Sequence, residues 1–583
     1  MSGEPQQKAI TDDSVMIGVD VGTASARAGV FDGSGTMLAT AKREITVFRG
    51  AGHAVEQSSR EIWQAVCEAV KEAVSASGAA AERVAGIGFD ATCSLVVLGE
   101  AGEPLAVGDT NEADRNIIVW MDHRATPQAE RINALHHPVL HYVGGKISPE
   151  METPKLLWLK ENRREIFDRA WQFFDLADFL TWRCTGDLAR STCTLTCKWT
   201  YLAHEKRWDE DYFRQIGLEE LVSEGFYRIG QHIVEPGARC GNGLTREAAA
   251  ELGLPIGTPV AAGMIDAHAG GIGTAGARGS ATQNLAYVFG TSSCTMTTTT
   301  EPVFVPGVWG PYYSAMVPGM WLNEGGQSAA GAAIDQLLAF HPAAREAAEL
   351  ARQRGVPLPV LLANFVLQGV SAASEAVEHT HGIHVVPEFL GNRAPFADPH
   401  ARAIVAGLGM ESDFENLLAL YIAGICGIGY GLRQIIETQD RAGATVENIV
   451  ISGGAGQHPL IRQLLADATG RTVLATKASE PVLLGAAILG ACAGGLVSSV
   501  SEGMARYTAV AGEYPPATQY RERHQRRYAT FQRLQESARE REAYCARLGA
   551  LCGKVDSAGG IYLITLIAGG IRVQKIKGVK RER

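Results

Sequence analysis

Near its C-terminal end the sequence lacks a long hydrophobic run. The longest one near its C-terminal end, Ile561 to Ala568, falls far short of the roughly 20 residues a spanning helix needs. The first residues, MSGEPQQKAITDDS, are polar and hold no apolar signal-peptide core. Membrane insertion is therefore not expected, and a cytoplasmic location is. The body also lacks a basic patch: Lys+Arg 53 against Asp+Glu 63 gives a net charge of −10, which argues against a nucleic-acid partner. A disulfide framework is missing too, because the 11 cysteines are odd in number and scattered, as suits a reducing compartment. Cys193 and Cys197 are four apart, but no second Cys/His pair lies nearby in sequence, so they are read as ordinary thiols rather than a zinc pair. No G-x-x-x-x-G-K-[ST] occurs, which excludes a Walker-type ATPase. The one G-x-G-x-x-G, Gly271 to Gly276, does not directly follow a strand. No acid lies between Ala267 and Thr300 to hold a ribose, which argues against a dinucleotide site.

What is present is α/β patterning long enough, at 583 residues, for two large domains. In Ile17 to Gly35, IGVDVGTASARAGVFDGSG, alternating apolar residues give a strand, a Gly-Thr-Ala-Ser turn and a return strand. Ile62, Val66, Val70 and Val74 predict a helix from Ser58 to Ser77. A strand follows, Val84 to Phe89, ending at DATCS, and another, Pro259 to Ile265, ends at Asp266. The segment LAYVFGTSSCTM, Leu285 to Met296, repeats the opening layout of strand, Gly/Thr/Ser turn and strand. Val446 to Ile451 is a strand running into the Gly-rich turn Ser452 to Gln457. Pro459 starts a helix that Gly470 ends, Arg471 to Ala475 is a further strand, and Pro481 opens the last helix before Gly494.

Two hydroxyl-rich hairpin turns, one from each half, are suited to clamp the phosphates of ATP, because their backbone N–H groups and hydroxyls converge on an anion. An acid just before such a turn, Asp20, can hold Mg²⁺ against those phosphates. Asp266, at the mouth of another strand, can take a proton from an attacking hydroxyl. Trp120, Asp122 and Arg124 offer an apolar face and paired polar groups of the kind a polyol needs; an ordinary core tryptophan and a surface ion pair are the plainer readings.

The motifs DVGT (Asp20 to Thr23), GMIDAH (Gly263 to His268), FGTSS (Phe289 to Ser293) and SGG (Ser452 to Gly454) resemble those of the FGGY carbohydrate kinases over roughly residues 15 to 545. FDATCS, WMDHR and NEGGQS are similar to the ribulokinase branch, and DATCS with GTSSC to kinases of D-ribulose. The resemblance implies the two-domain actin-like ATPase (ribonuclease H-like) fold, with the active site in the interdomain cleft. The expected domains are 15–273 for the sugar and catalytic base, 280–548 for the nucleotide, and an atypical, disordered tail at 553–583. It further implies Asp266 as catalytic base and Asp20 as the magnesium acid. Gly22, Thr23, Gly290, Thr291, Ser292, Gly326, Gln327, Gly453, Gly454 and Gln457 are expected around ATP. Asp90, Thr92, Trp120, Asp122, Arg124, Lys198 and Glu324 are expected around the sugar. ATP and Mg²⁺ are the implied cofactors and a sugar or polyol the implied partner, and a homodimer is allowed. The expected reaction is phosphorylation of the terminal hydroxyl of D-ribulose. L-ribulose, ribitol or xylulose, or a nucleotide switch without sugar turnover, are the alternatives.

Overall fold

β1 (Val15–Val21) turns through Gly22 to Ala24 into β2 (Ser25–Phe31), and β3 (Met37–Glu44) continues the meander. The computed structural model describes residues 13–51, 53–108, 112–556, 562–567 and 570–575. α1 (Ser59–Ser77) begins at Ser58, whose hydroxyl accepts the Glu61 N–H, and buries Ile62, Val66 and Val70. β4 (Val84–Ala91) returns parallel to β1, placing Asp90 directly beside Asp20. A short helix, α2 (Thr192–Lys198), precedes β5 (Met264–Ile265) and α3 (Asp266–Ala275). The strand expected from Pro259 to Ile265 is shorter than its apolar pattern suggested: only Met264 and Ile265 pair as a strand with β4, while Val260 makes an isolated bridge to Ile87. At Gly263 the chain lies so close to β4 that a Cβ would stand 2.7 Å from Phe89 O.

The second half repeats this plan. β6 (Asn284–Phe289) and β7 (Ser293–Thr299) form its hairpin, followed by β8 (Trp309–Tyr313) and β9 (Trp321–Gln327). α4 (Gly331–Ala339) and the long α5 (Phe414–Ala442) lead to β10 (Asn448–Ser452), α6 (Pro459–Thr469), β11 (Thr472–Thr476), α7 (Pro481–Ala493) and β12 (Val510–Tyr514). The strand orders are β5-β4-β1-β2-β3 in the first sheet and β8-β9-β7-β6-β10-β11-β12 in the second. Each sheet therefore has a hairpin with two parallel strands on one flank and an antiparallel strand on the other. That shared order is the repeat hinted at by the two Gly/Thr/Ser turns.

α5 is long and apolar enough to cross a membrane, but 89% of its apolar window is buried inside the chain, as befits a core helix. α7 carries the contact between the halves. It lies so close to the first sheet that a Cβ on Gly18, Gly86 or Gly88 would stand 2.1, 2.1 or 2.0 Å from a carbonyl oxygen of α7. Gly273 and Gly485 make the same close approach between α3 and α7. The Gly271–Gly276 motif thus forms the second half of α3 and its C-cap, where its glycines permit close packing.

The last helix, α8 (Arg521–Asp556), is followed by an antiparallel hairpin, β13 (Tyr562–Ile567) and β14 (Gly570–Lys575). Composition alone predicted disorder for this tail. Within it, Tyr562–Ile567 and Gly570–Lys575 pair as antiparallel strands. The rest of the expected tail beyond Asp556, residues 557–561, 568–569 and 576–583, lies outside the described residues.

Candidate active site

Asp20, Asp90 and Asp266 stand at the carboxyl ends of β1 and β4 and just after β5, three neighbouring parallel strands, where open α/β sheets bind ligands. Asp90 is fully buried, and desolvation together with Asp20 and Asp266 pushes its carboxyl well above the usual range. It stands beside Asp20 on the neighbouring strand, with its side chain turned away from solvent. Asp266 opens α3 and is half-buried. Burial and the Asp20 charge push it up to about 6, against the Ala267 N–H, His268 and Lys198. The Ala267 N–H donates to its Oδ1 at 2.7 Å. A carboxylate near 6 is a usable base at neutral pH. Asp20 accepts from Arg27 Nε at 3.0 Å, and Arg27 reaches on to Glu480 at 2.7 Å, one residue before α7.

The sugar and phosphate sets meet at Trp120, whose indole N–H donates to Thr23 Oγ1 at 3.0 Å. Gln57 Nε2 donates to Thr23 O at 2.7 Å, and Gly22 N–H closes the turn on Ser25 O at 3.0 Å. Thr92 Oγ1 lies 3.1 Å from Ser94 Oγ, and Ser94 Oγ accepts the Trp120 N–H. Asp122 and Arg124 are not a surface pair. Arg124 donates to both Asp122 oxygens and to Glu56 at 2.8 Å, and Asp122 Oδ2 also accepts the Val55 N–H at 2.7 Å. With Asp122 fully buried, this network braces the segment that carries Trp120. Lys198 ends α2 with its ammonium 5.3 Å from the Trp309 ring centroid. Glu324, on β9, accepts from His268 Nε2 at 3.0 Å. Burial opposes its charge, but His268, Lys198 and Arg393 hold it down at about 2.

On the nucleotide side, Gly290, Thr291 and Ser292 form the β6–β7 turn. The Gly290 N–H donates to Ser292 O, while Gly290 O and Thr291 O accept N–H groups at the start of α4. Gly326 has φ +149, and Gly453 has φ +90 with a would-be Cβ 2.4 Å from Phe289 O, so both positions require glycine. Gln327 is spent internally: its oxygen accepts from Tyr287 Oη and Ser293 Oγ, and its Nε2 donates to Ile428 O. Gly454 and Gln457 instead border a cavity of about 500 Å³. Its mainly apolar walls include Phe289, Ile334, Pro357, Val360 and Tyr421, which suits a nucleobase.

Sequence reasoning assigned no role to Arg27, His268, Trp309, Arg393 or Glu480. His268 lay inside a quoted motif, but its partners Cys193 and Glu324 are 75 and 56 residues away. Cys193 and Cys197, read as two isolated thiols, in fact face His268. The Asp20 charge raises the proton affinity of Asp90 and Asp266, a crowding of negative charge that Mg²⁺ would neutralise.

Residues 15–273 match the N-terminal domain, and 285–494 the C-terminal domain, of the FGGY family of carbohydrate kinases. The chain is 46% identical over 551 residues to the FGGY carbohydrate kinase domain-containing protein of Homo sapiens, covering 93% of this chain and 98% of the relative. It is 39% identical to a D-ribulokinase of Saccharomyces cerevisiae, covering 82% of this chain and 71% of that one. Among solved structures, a xylulose kinase from Rhodospirillum rubrum aligns with a TM-score of 0.75 at 20% identity, over 91% of this chain and all of its own. That last likeness speaks for the fold.

Proposed function

The chain belongs to the FGGY family of carbohydrate kinases, an ATP- and Mg²⁺-dependent phosphotransferase family with alcohol acceptors, and from that premise we propose that its acceptor is D-ribulose, phosphorylated in the cytoplasm on its terminal hydroxyl. The observation that carries the substrate is the 39% identity to a D-ribulokinase across 82% of the chain. The sugar would lie between Trp120, Lys198 and Glu324, with its C–H face on the indole and its hydroxyls on the charged pair.

Asp266 then takes the proton of the acceptor oxygen as that oxygen attacks the γ-phosphorus of ATP. The bond between the γ-phosphorus and the β,γ-bridging oxygen breaks, and ADP leaves with the charge. Mg²⁺, held by Asp20 directly or through water, would neutralise charge on the β- and γ-phosphates. The turns at Gly22–Thr23 and Gly290–Ser292 offer N–H groups and hydroxyls to those phosphates from both halves. Gly454 and Gln457 sit by the cavity that takes the base. Closure of the halves about α7 would exclude water that otherwise competes for the phosphoryl group.

An ADP-release assay over ketopentoses, pentitols, glycerol and aldoses tests the reading. D-ribulose should give the highest kcat/KM. Epimers differ by one hydroxyl, and each polar group left unpaired costs about 1–3 kcal/mol. Xylulose or glycerol exceeding D-ribulose by about tenfold, roughly 1.4 kcal/mol, refutes the assignment. ATP hydrolysis that no sugar stimulates would favour a nucleotide switch.

A further inference from the structure

Two thiols and an imidazole meet in the floor beneath the cleft. Cys193 and Cys197 stand one turn apart on α2, and His268 lies two residues into α3. Their two Sγ atoms and a ring nitrogen of His268 lie within 4.8 Å of one another, with Cys193 Sγ 3.2 Å from His268 Nδ1. All three side chains are fully buried. The other edge of the imidazole adds an independent observation. Nε2 stands 3.0 Å from Glu324 Oε2, so the carboxylate holds that edge of the ring and turns Nδ1 toward the sulfurs' side. A ring nitrogen facing soft donors while its twin is held by a carboxylate is how metal-bound histidines are oriented.

We propose that Cys193, Cys197 and His268 form a zinc site that clips α2 to α3. Zn–S and Zn–N bonds of about 2.3 and 2.0 Å place tetrahedral donors about 3.5–3.8 Å apart, within reach of the spacing seen here, and leave the fourth position for a water. Sulfur and imidazole nitrogen select zinc over Mg²⁺ and Ca²⁺, which take oxygen ligands, so this site is distinct from the nucleotide's magnesium. Charge favours it too. Zn²⁺ binding releases the remaining thiol and Nδ1 protons, and two thiolates cancel the ion's charge, so no net charge is buried. Cys197 precedes Lys198, and Asp266 lies two residues before His268. The clip therefore fixes the spacing of Lys198 and Asp266 and, through the Nε2 proton, aims Glu324. The consequence for sugar binding rests on the sugar-kinase reading; the metal content does not.

The test uses the full chain, purified without chelator, exposed to Zn²⁺ and desalted. Elemental analysis should find about one zinc per chain. Co²⁺ in its place should give a thiolate-to-cobalt charge-transfer band. Cys197→Ser should lower retained zinc at least about tenfold, while Cys67→Ser on α1 should not. If Cys197→Ser fails to fold, the wild-type stoichiometry and cobalt spectrum still decide. Removing zinc should raise the sugar KM several-fold with little change for ATP, and zinc should restore it. Wild-type protein that retains less than about a tenth of an equivalent, or that loses no zinc on Cys197→Ser, overturns the site. Zinc bound at one equivalent in a chain that phosphorylates no sugar would refute the sugar reading and leave the metal site standing.

Discussion

His268 Nε2 stands 3.0 Å from Glu324 Oε2, joining the helix that begins with Asp266 to the central sheet of the second half. Glu324 is held at about 2 by that bond and by the charges of His268, Lys198 and Arg393, so it is anionic at any working pH. Glu324→Gln keeps the shape and removes the charge, leaving the surrounding cations unbalanced. The sugar KM should rise about tenfold, roughly 1.4 kcal/mol, with the ATP KM nearly unchanged. Initial rates with each substrate varied separately check this. An equal rise for both would show that Glu324 holds the two halves together rather than the sugar.

The bond from Trp120 Nε1 to Thr23 Oγ1, at 3.0 Å, couples the sugar side to the phosphate turn. Trp120→Phe and Thr23→Val each remove one end of it. A double-mutant cycle on kcat/KM should give a coupling of about 0.5–1.5 kcal/mol, the net worth of such a bond. A coupling near zero would mean that the two side chains act independently.

How much of this was legible in the sequence follows from the range of each signal. The hairpins were legible because a strand, a Gly/Thr/Ser turn and a strand are written in consecutive residues, and the acids were found because they close strands. Asp122 and Arg124 were found as a pair, with a surface ion pair left as the plainer reading, since nothing local announces that Glu56 and the Val55 N–H complete their network. Gln327 borders the predicted cleft in sequence, yet its amide also bonds Tyr287, Ser293 and Ile428, which only the folded chain brings to it. The Cys193–Cys197–His268 cluster was invisible because helix spacing gives only the thiol pair, and the imidazole arrives from 75 residues away.

The glycine-lined contact of α7 makes a stability prediction. A Cβ at Gly88 would stand 2.0 Å from Ala486 O and 2.7 Å from Gly490 N, both backbone atoms that cannot swing aside. Gly88→Ala should therefore push α7 off the sheet and destabilise by about 1–3 kcal/mol or more, lowering Tm by several degrees. At Gly454, nothing lies within 4 Å of the same added atom, and Ala there should leave Tm nearly unchanged. Thermal unfolding of both variants checks the contrast.

The acids at the strand ends should separate by role. Asp266, pushed up to about 6, is active as the base only when deprotonated, so kcat/KM should fall as pH drops through about 6. Asp266→Asn removes the base, should lower kcat by about 10²–10⁴, and should abolish that acid limb while MgATP still binds. The loss is bounded because phosphoryl transfer depends largely on positioning and charge neutralisation. Asp20→Asn acts elsewhere. It loosens Arg27, which also holds Glu480, and weakens the acidic set that would hold Mg²⁺, so the Mg²⁺ concentration for half-maximal rate should rise while sugar binding stays intact. Calorimetry with each ligand, beside single-turnover rates, distinguishes the two. If Asp266→Asn turns over near the wild-type rate, the proton leaves the acceptor by another route, and the carboxylate at the head of α3 serves only to hold charge.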